Sequence, residues 1–313
     1  MQNKYRRICG VLTAVVALAV GFQSLPVQAC ACGCGMFDVG MPGLGMPAAN
    51  GGAINIQDTF LNQNSAMQGS HRIPLDQSPD QRIQTNFLNL NAQYTFNHEW
   101  GIMAMVPYWQ RSFETNESFG NGLPNVVNHT IHTLSDVRVM GMYTGFSPDM
   151  SSGLIFGLKL PTGTYTASGF DRDTQPGTGS TDLLLGGYQV GQERTWGWYA
   201  QAMLRSAIAT RDDYRPGNSL QLVLGMHYDA NAYVEDLIPL LQLNATIRSS
   251  DSGINSDPLN SGSKSLYLTP GALYNLTKNL QANALVYLPL MRDVNGIQLV
   301  PNQIVSAGLT YNF

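Results

Sequence analysis

The sequence predicts an all-β protein: a transmembrane antiparallel β-barrel of about 12 strands, with short periplasmic turns and long extracellular loops. Three observations carry this. The final stretch, NQIVSAGLTYNF, places Val305, Ala307, Leu309, Tyr311 and Phe313 on one face. Ser306, Gly308, Thr310 and Asn312 fall on the other, which is the period of a strand with one apolar face. Charged residues are 12% of the chain and hydrophobic ones 43%, whereas a soluble domain carries about 25% charge. Finally, from residue 53 onward the chain repeats one unit: strand, tight turn, strand, long polar loop.

The chain starts with an export signal. Lys4, Arg6 and Arg7 precede an apolar run over 9–22, and Leu25-Pro-Val-Gln-Ala29 offers a cleavage site, so 1–29 reads as a signal peptide. The apolar run is too short to span a bilayer. Cleavage removes three of the 17 basic residues and none of the 21 acidic ones, leaving 14 against 21, or −7. That balance argues against a nucleic-acid partner.

Residues 30–52, rich in Cys, Gly and Met, read as a flexible periplasmic head that buries no core. The barrel is expected over 53–313. Its strands are predicted at 53–63, 82–97, 100–111, 131–146, 152–161, 180–190, 196–209, 218–230, 236–249, 264–274, 279–290 and 302–313. Long loops are expected at 113–130, 162–179, 210–217, 250–263 and 291–301. The strand over 53–63 has the weakest pattern. Aromatic residues near the short turns (Tyr94, Phe96, Trp100, Phe146, Trp196, Trp198, Tyr228, Tyr274, Tyr311, Phe313) predict a periplasmic girdle. Tyr108, Trp109, Tyr267 and Tyr287 predict a second girdle toward the long loops.

Alternation also names the lumen-lining set: Asp136, Arg138, Lys159, Arg205, His227, Gln242, Asn244, Arg248 and Asn283. A charge on the lipid face costs about 2–4 kcal/mol near mid-membrane, so these side chains are expected to face inward. They either set the selectivity of a pore or form a salt-bridged plug that fills a narrow barrel.

One stretch carries a family resemblance. Gly157-Leu-Lys-Leu-Pro-Thr-Gly163, then Gln175-Pro-Gly-Thr-Gly-Ser-Thr-Asp182 and Leu-Leu-Leu-Gly-Gly187, resembles the outer-membrane transporters grouped with the MetA pathway of phenol degradation. The match is strong over about 157–187 and limited to the strand pattern elsewhere. It implies a channel or transporter for small aromatic or hydrophobic compounds and transfers no substrate-binding residue. Pro161 and Gly163 would end a strand at the rim, and Gly177 and Gly179 would let the chain re-enter it.

Expected partners are outer-membrane lipid, a small-molecule solute, and the barrel-assembly machinery through the strand ending at Phe313. Cys30, Cys32 and Cys34 are an odd set whose i, i+2 spacing strains any disulfide. Three readings stay open: lipidation of Cys30, an inert leader, or a soft-metal site in which the thiols and Met36 hold Cu(I). The last gives an alternative function, a barrel scaffolding a metal- or redox-active partner. No Ser–His pair is fixed by a motif, and His98, His129 and His132 lie in or beside loops, so no enzyme activity is expected.

Overall fold

The computed structural model describes residues 51–117, 125–230 and 233–313. The predicted signal peptide and the Cys30, Cys32, Cys34 and Met36 cluster lie outside the described residues.

The strands are β1 (Gly51–Gly69), β2 (His71–Arg72), β3 (Asp80–Thr95), β4 (Trp100–Asn116), β5 (Val126–Leu134), β6 (Arg138–Tyr143), β7 (Ser152–Lys159), β8 (Thr181–Glu193), β9 (Trp196–Ala209), β10 (Ser219–Tyr228), β11 (Leu237–Arg248), β12 (Ser263–Asn275) and β13 (Leu280–Asn312). Neighbours pair antiparallel in chain order, and β13 pairs with β1 to close the ring. At the seam Gly52 and Phe313 exchange backbone hydrogen bonds of 2.9 Å each. Closure pairs the first strand of the ring with the last, as a wall facing hydrocarbon requires.

Eleven named strands form the ring, with β2 and β5 beside it. The last of them is a hairpin. Up to Val294 it pairs with β12, and from Val294 it pairs with β1. Asn312 N–H bonds Asn279 O at 2.8 Å across the hairpin's foot, and Gly296, at φ +48°, sits near its tip. Both arms counted, the chain crosses twelve times. The predicted loop over 291–301 is therefore extended chain. The loop over 113–130 shrinks similarly, because β4 runs on to Asn116 and β5 begins at Val126.

β1, the weakest strand by pattern, is 19 residues long. Its inner face is a polar ladder rather than an apolar stripe. Gln57 donates to Asn283 (2.9 Å) and Ser306 (2.7 Å), Asn55 to Thr310 (2.9 Å), and the Thr59 and Ser306 hydroxyls lie 2.6 Å apart. These bonds give the amides of Gln57 and Asn55 acceptors across the seam, whereas Gln57 Oε1, Gln63 Oε1 and Ser65 Oγ on the same strand have no partner within the described residues.

The outer wall is the reverse. Ile54, Ile56, Leu88, Leu90, Leu185, Leu204, Leu224, Leu243 and Leu309 are all exposed. Each is already half covered by its neighbours and would gain about half of the 1.5–3 kcal/mol of full burial by leaving water, so the wall belongs in lipid. Near the short turns Trp100 packs on Tyr143 and Trp196 on Tyr228, with ring centroids 4.9 and 4.8 Å apart, and forms the outer girdle there.

The second girdle is a correction. Tyr108 keeps the outward parity, but Trp109, Tyr267 and Tyr287 turn into the barrel, and the two tyrosines are 3% and 2% exposed. Register decides this. Tyr267 alternates with Ser263, Ser265 and Thr269 on the buried face of β12, opposite Leu266 and Leu268.

Among the described residues the wall is interrupted between β5 and β6. β6 pairs with β7 only from Arg138 to Tyr143, and above it β5 pairs with β4 alone. The predicted strand over 131–146 thus breaks at 135–137. Segment 160–180 covers the interval, and residues 173–180 within it are buried.

Candidate functional site

Where β6, β7, β8 and β9 pass one another, alternation delivers ionisable side chains to a single level of the lumen. Arg138 pairs in register with Lys159, and Lys159 with Asp182. Lys159 Nζ lies 2.7 Å from Asp136 Oδ2 and 3.2 Å from Asp182 Oδ2, and Arg205 Nη1 lies 3.6 Å from Asp182 Oδ2. Asp136, Lys159, Asp182 and Arg205 are each at most 4% exposed, and Arg138 is half-buried. Such a network holds only while each charge keeps its partners. Removing one member of a buried pair costs about 3–5 kcal/mol.

This network also clasps segment 160–180. Asp136 accepts from Gly163 N–H (3.0 Å), Thr178 N–H (2.9 Å) and the Thr178 hydroxyl (2.6 Å). Lys159 donates to the Thr178 hydroxyl and to Ser180 Oγ (3.2 Å), and Ser180 donates to Asp182 at 2.6 Å. Gly163 and Gly177 meet back to back, and a Cβ on Gly177 would lie 2.4 Å from the Gly163 carbonyl carbon. The stretch that carries the family resemblance therefore closes on itself as a clasp.

The opposite wall is apolar. Leu61 (β1), Phe87 (β3), Leu240 (β11), Tyr267 (β12) and Leu285, Tyr287 and Ile304 (β13) form one buried cluster, with Trp109 (β4) packed against it. Phe87 and Trp109 are cross-strand partners and meet edge to face, with centroids 4.8 Å apart. Toward the short turns the apolar surface changes sides, to Met103, Met140, Met142, Ile155, Leu184 and Tyr188. Toward the long loops Phe113 stacks on Phe170 at 6.0 Å beside Ile83 and Leu299. The lumen is thus a polar tube with apolar stations along it, two on the side of β13, β1, β3 and β4 and one, toward the short turns, reaching across to β6–β8.

Arg111 joins the clasped segment to the apolar wall. Fully buried, it donates to Thr85 (2.9 Å) and to the Thr174 carbonyl, with its guanidinium 4.6 Å over Trp109. Between the two walls lies a cavity of about 60 Å³, lined by Phe87, Trp109, Tyr287 and Leu285 on one side and Arg138, Lys159 and Arg205 on the other. Pro176 and Thr178 border it.

Of the nine side chains named from the sequence, Asp136, Arg138, Lys159 and Arg205 meet at this cavity. Asn283 receives its bond from Gln57, Asn244 donates to Thr269 (2.8 Å) and Gln242 (3.2 Å), and all three lie on the inner face. Arg248 pairs instead with Asp251 near the long loops, and His227 packs against Gly197. Sequence reasoning missed Arg111, Thr178, Ser180 and Asp182. Asp182 shares the inner parity of β8 with Leu184 and Tyr188, a signal that was available.

No family model and no curated protein matches the chain by sequence. Among solved structures, the COG4313 outer membrane channel from Pseudomonas putida F1 superposes with a TM-score of 0.68 at 14% identity, covering 87% of this chain and 99% of that one. This chain has the fold of an outer-membrane channel. More distant likenesses are the CymD monoaromatic hydrocarbon channel (TM-score 0.46, 8% identity, 85% and 89% covered) and the Ralstonia pickettii toluene transporter TbuX (0.44, 10%, 85% and 90%).

Proposed function

We propose that the barrel carries small apolar or aromatic molecules across the outer membrane by passive diffusion. The observation that carries this is the run of inward apolar stations, from Phe113 and Phe170 through Phe87, Trp109 and Tyr287 to Met103 and Met140. The interior of a barrel is ordinarily polar, so a succession of inward aromatic and aliphatic side chains provides surface for an apolar solute. A lumen for apolar solutes needs them, because each ring replaces the water that the solute gives up. The fold shared with an outer-membrane channel supports the same reading. The charged network and its clasp would narrow the path at mid-height, so that a solute passes from one apolar surface to the next beside fixed charges. The lumen passes its solute chemically unchanged.

The test is uptake by cells with an intact outer membrane, using labelled ethylbenzene and labelled glucose. Cells that produce the protein should take up ethylbenzene several-fold faster than cells that lack it, with no change for glucose. Acceleration of glucose alone would refute the reading.

A further inference from the structure

We propose that the cavity between the two walls is a binding station for a small neutral aromatic that carries a carbonyl oxygen. The ring would lie against Phe87, Trp109 and Tyr287, and the oxygen would accept from Arg205 Nη2 and the Tyr287 hydroxyl. The inference rests on the passage reading above and names the solute class that this level of the lumen favours.

The polar atoms carry the argument. Arg205 and Tyr287 both line the cavity and are 4% and 2% exposed. Arg205 gives Nη1 to Asp182 at 3.6 Å and Nε to Ser219 at 3.2 Å, which leaves Nη2 buried without an acceptor. The Tyr287 hydroxyl is likewise buried without a hydrogen-bond partner. A buried donor with nothing to bond is costly, so two on the lining of one cavity mark a place for an acceptor. Gln57 Oε1, an acceptor that also lacks a partner, lies against the Gly308 backbone, where an added Cβ would collide with it. It abuts the wall, and the donors set the character of the site.

Charge gives no preference for an anion. Lys159 and Arg205 are paired with Asp136 and Asp182, and Arg138 has an interaction of its own. A carboxylate would be buried beside cations already held by carboxylates, at a desolvation cost that a neutral carbonyl does not incur. Ring surface supplies the rest. Phe87 and Trp109 meet edge to face at 4.8 Å, and Tyr287 belongs to the same apolar cluster. An apolar lining with a few placed polar groups is how a pocket orients a small molecule. The enclosed space of about 60 Å³ is smaller than the roughly 150 Å³ cavity that accommodates a benzene ring. Occupancy therefore requires the bordering segment with Pro176 and Thr178 to give way.

The experiment is calorimetric titration of the detergent-folded protein with acetophenone, ethylbenzene and sodium benzoate, each corrected for partition into empty micelles. Acetophenone and ethylbenzene share a ring and a side arm of the same length and differ by the carbonyl oxygen. Acetophenone should bind at least about tenfold more tightly than ethylbenzene, because the analogue without the oxygen leaves both donors unpaired. It should also bind more tightly than benzoate. Tyr287→Phe keeps the ring and removes one donor, and it should narrow the acetophenone-to-ethylbenzene ratio by several-fold. Arg205→Gln should narrow it as well. Should Arg205→Gln fail to fold, Tyr287→Phe decides alone. Acetophenone no tighter than ethylbenzene, benzoate tighter than acetophenone, or an unchanged ratio in Tyr287→Phe would each overturn the inference and leave the passage reading standing. Binding of none of the three, together with no ethylbenzene uptake by cells, would overturn the passage reading as well.

Discussion

The aromatic wall built from β11–β13, β1, β3 and β4 and the charged wall built from β6–β9 share one level of one lumen, yet different physics holds each. On the first, Leu61, Leu285 and Ile304 are at most 1% exposed and interlock by shape alone. Burial there is non-directional and degrades gradually when a group is trimmed. On the second, Lys159 satisfies Asp136, Asp182, Thr178 and Ser180 at once, and losing one atom leaves several polar groups unpaired. The first wall can flex around a solute. The second is either fastened or open, which suits it to hold a covering segment.

Predictions that would break this contrast run from large to small. Lys159→Met should destabilise the folded barrel by about 3–5 kcal/mol in a urea titration, since Asp136 and Asp182 lose their shared cation. Adding Asp136→Asn and Asp182→Asn should recover most of the loss. A single substitution with no effect would mean that the network is not closed. Leu285→Ala, on the other wall, should cost about 2–5 kcal/mol by leaving a cavity, without exposing segment 160–180 to protease.

Thr178→Val should cost only about 1–2 kcal/mol, because one hydroxyl is lost from the clasp. Its mark should be local: faster proteolysis within 160–180 with the barrel's melting unchanged. The smallest effect concerns pH. Burial first, and then the charges of Asp171, Asp80 and Asp251, hold the Asp173 carboxyl well above the usual carboxylate range. A carboxyl raised in the folded state stabilises the docked segment at acid pH and loses that contribution as the pH rises through its folded value. Protection of 160–180 from protease should therefore decline from acid to alkaline pH, and Asp173→Asn should flatten the profile.

The two walls were not equally legible in the sequence. The charged side chains announce themselves, because Lys159 between Leu158 and Leu160 has one tolerable direction in a membrane wall. Trp109, Tyr267 and Tyr287 do not, since an aromatic ring is at home both at a lipid interface and inside a lumen. Only the register of their polar neighbours assigns the face. The strand count was legible because turns and loops alternate in composition, whereas the extent of β1 was not. Its inner face is stabilised by Gln57, Asn55 and Thr59 bonding across a seam some 250 residues away in sequence, |i−j| of 226 to 255. The clasp was present in the motif over 157–187, but its partner Asp136 lies in a strand interruption that periodicity read straight through.

The most direct measurement of the central claim is planar-bilayer current through the refolded protein, before and after ethylbenzene is added. A lumen narrowed between an aromatic and a charged wall predicts small, flickering ionic steps that fall further as the solute occupies the apolar stations. Large, steady ohmic steps indifferent to ethylbenzene would show an open polar pore and contradict the account.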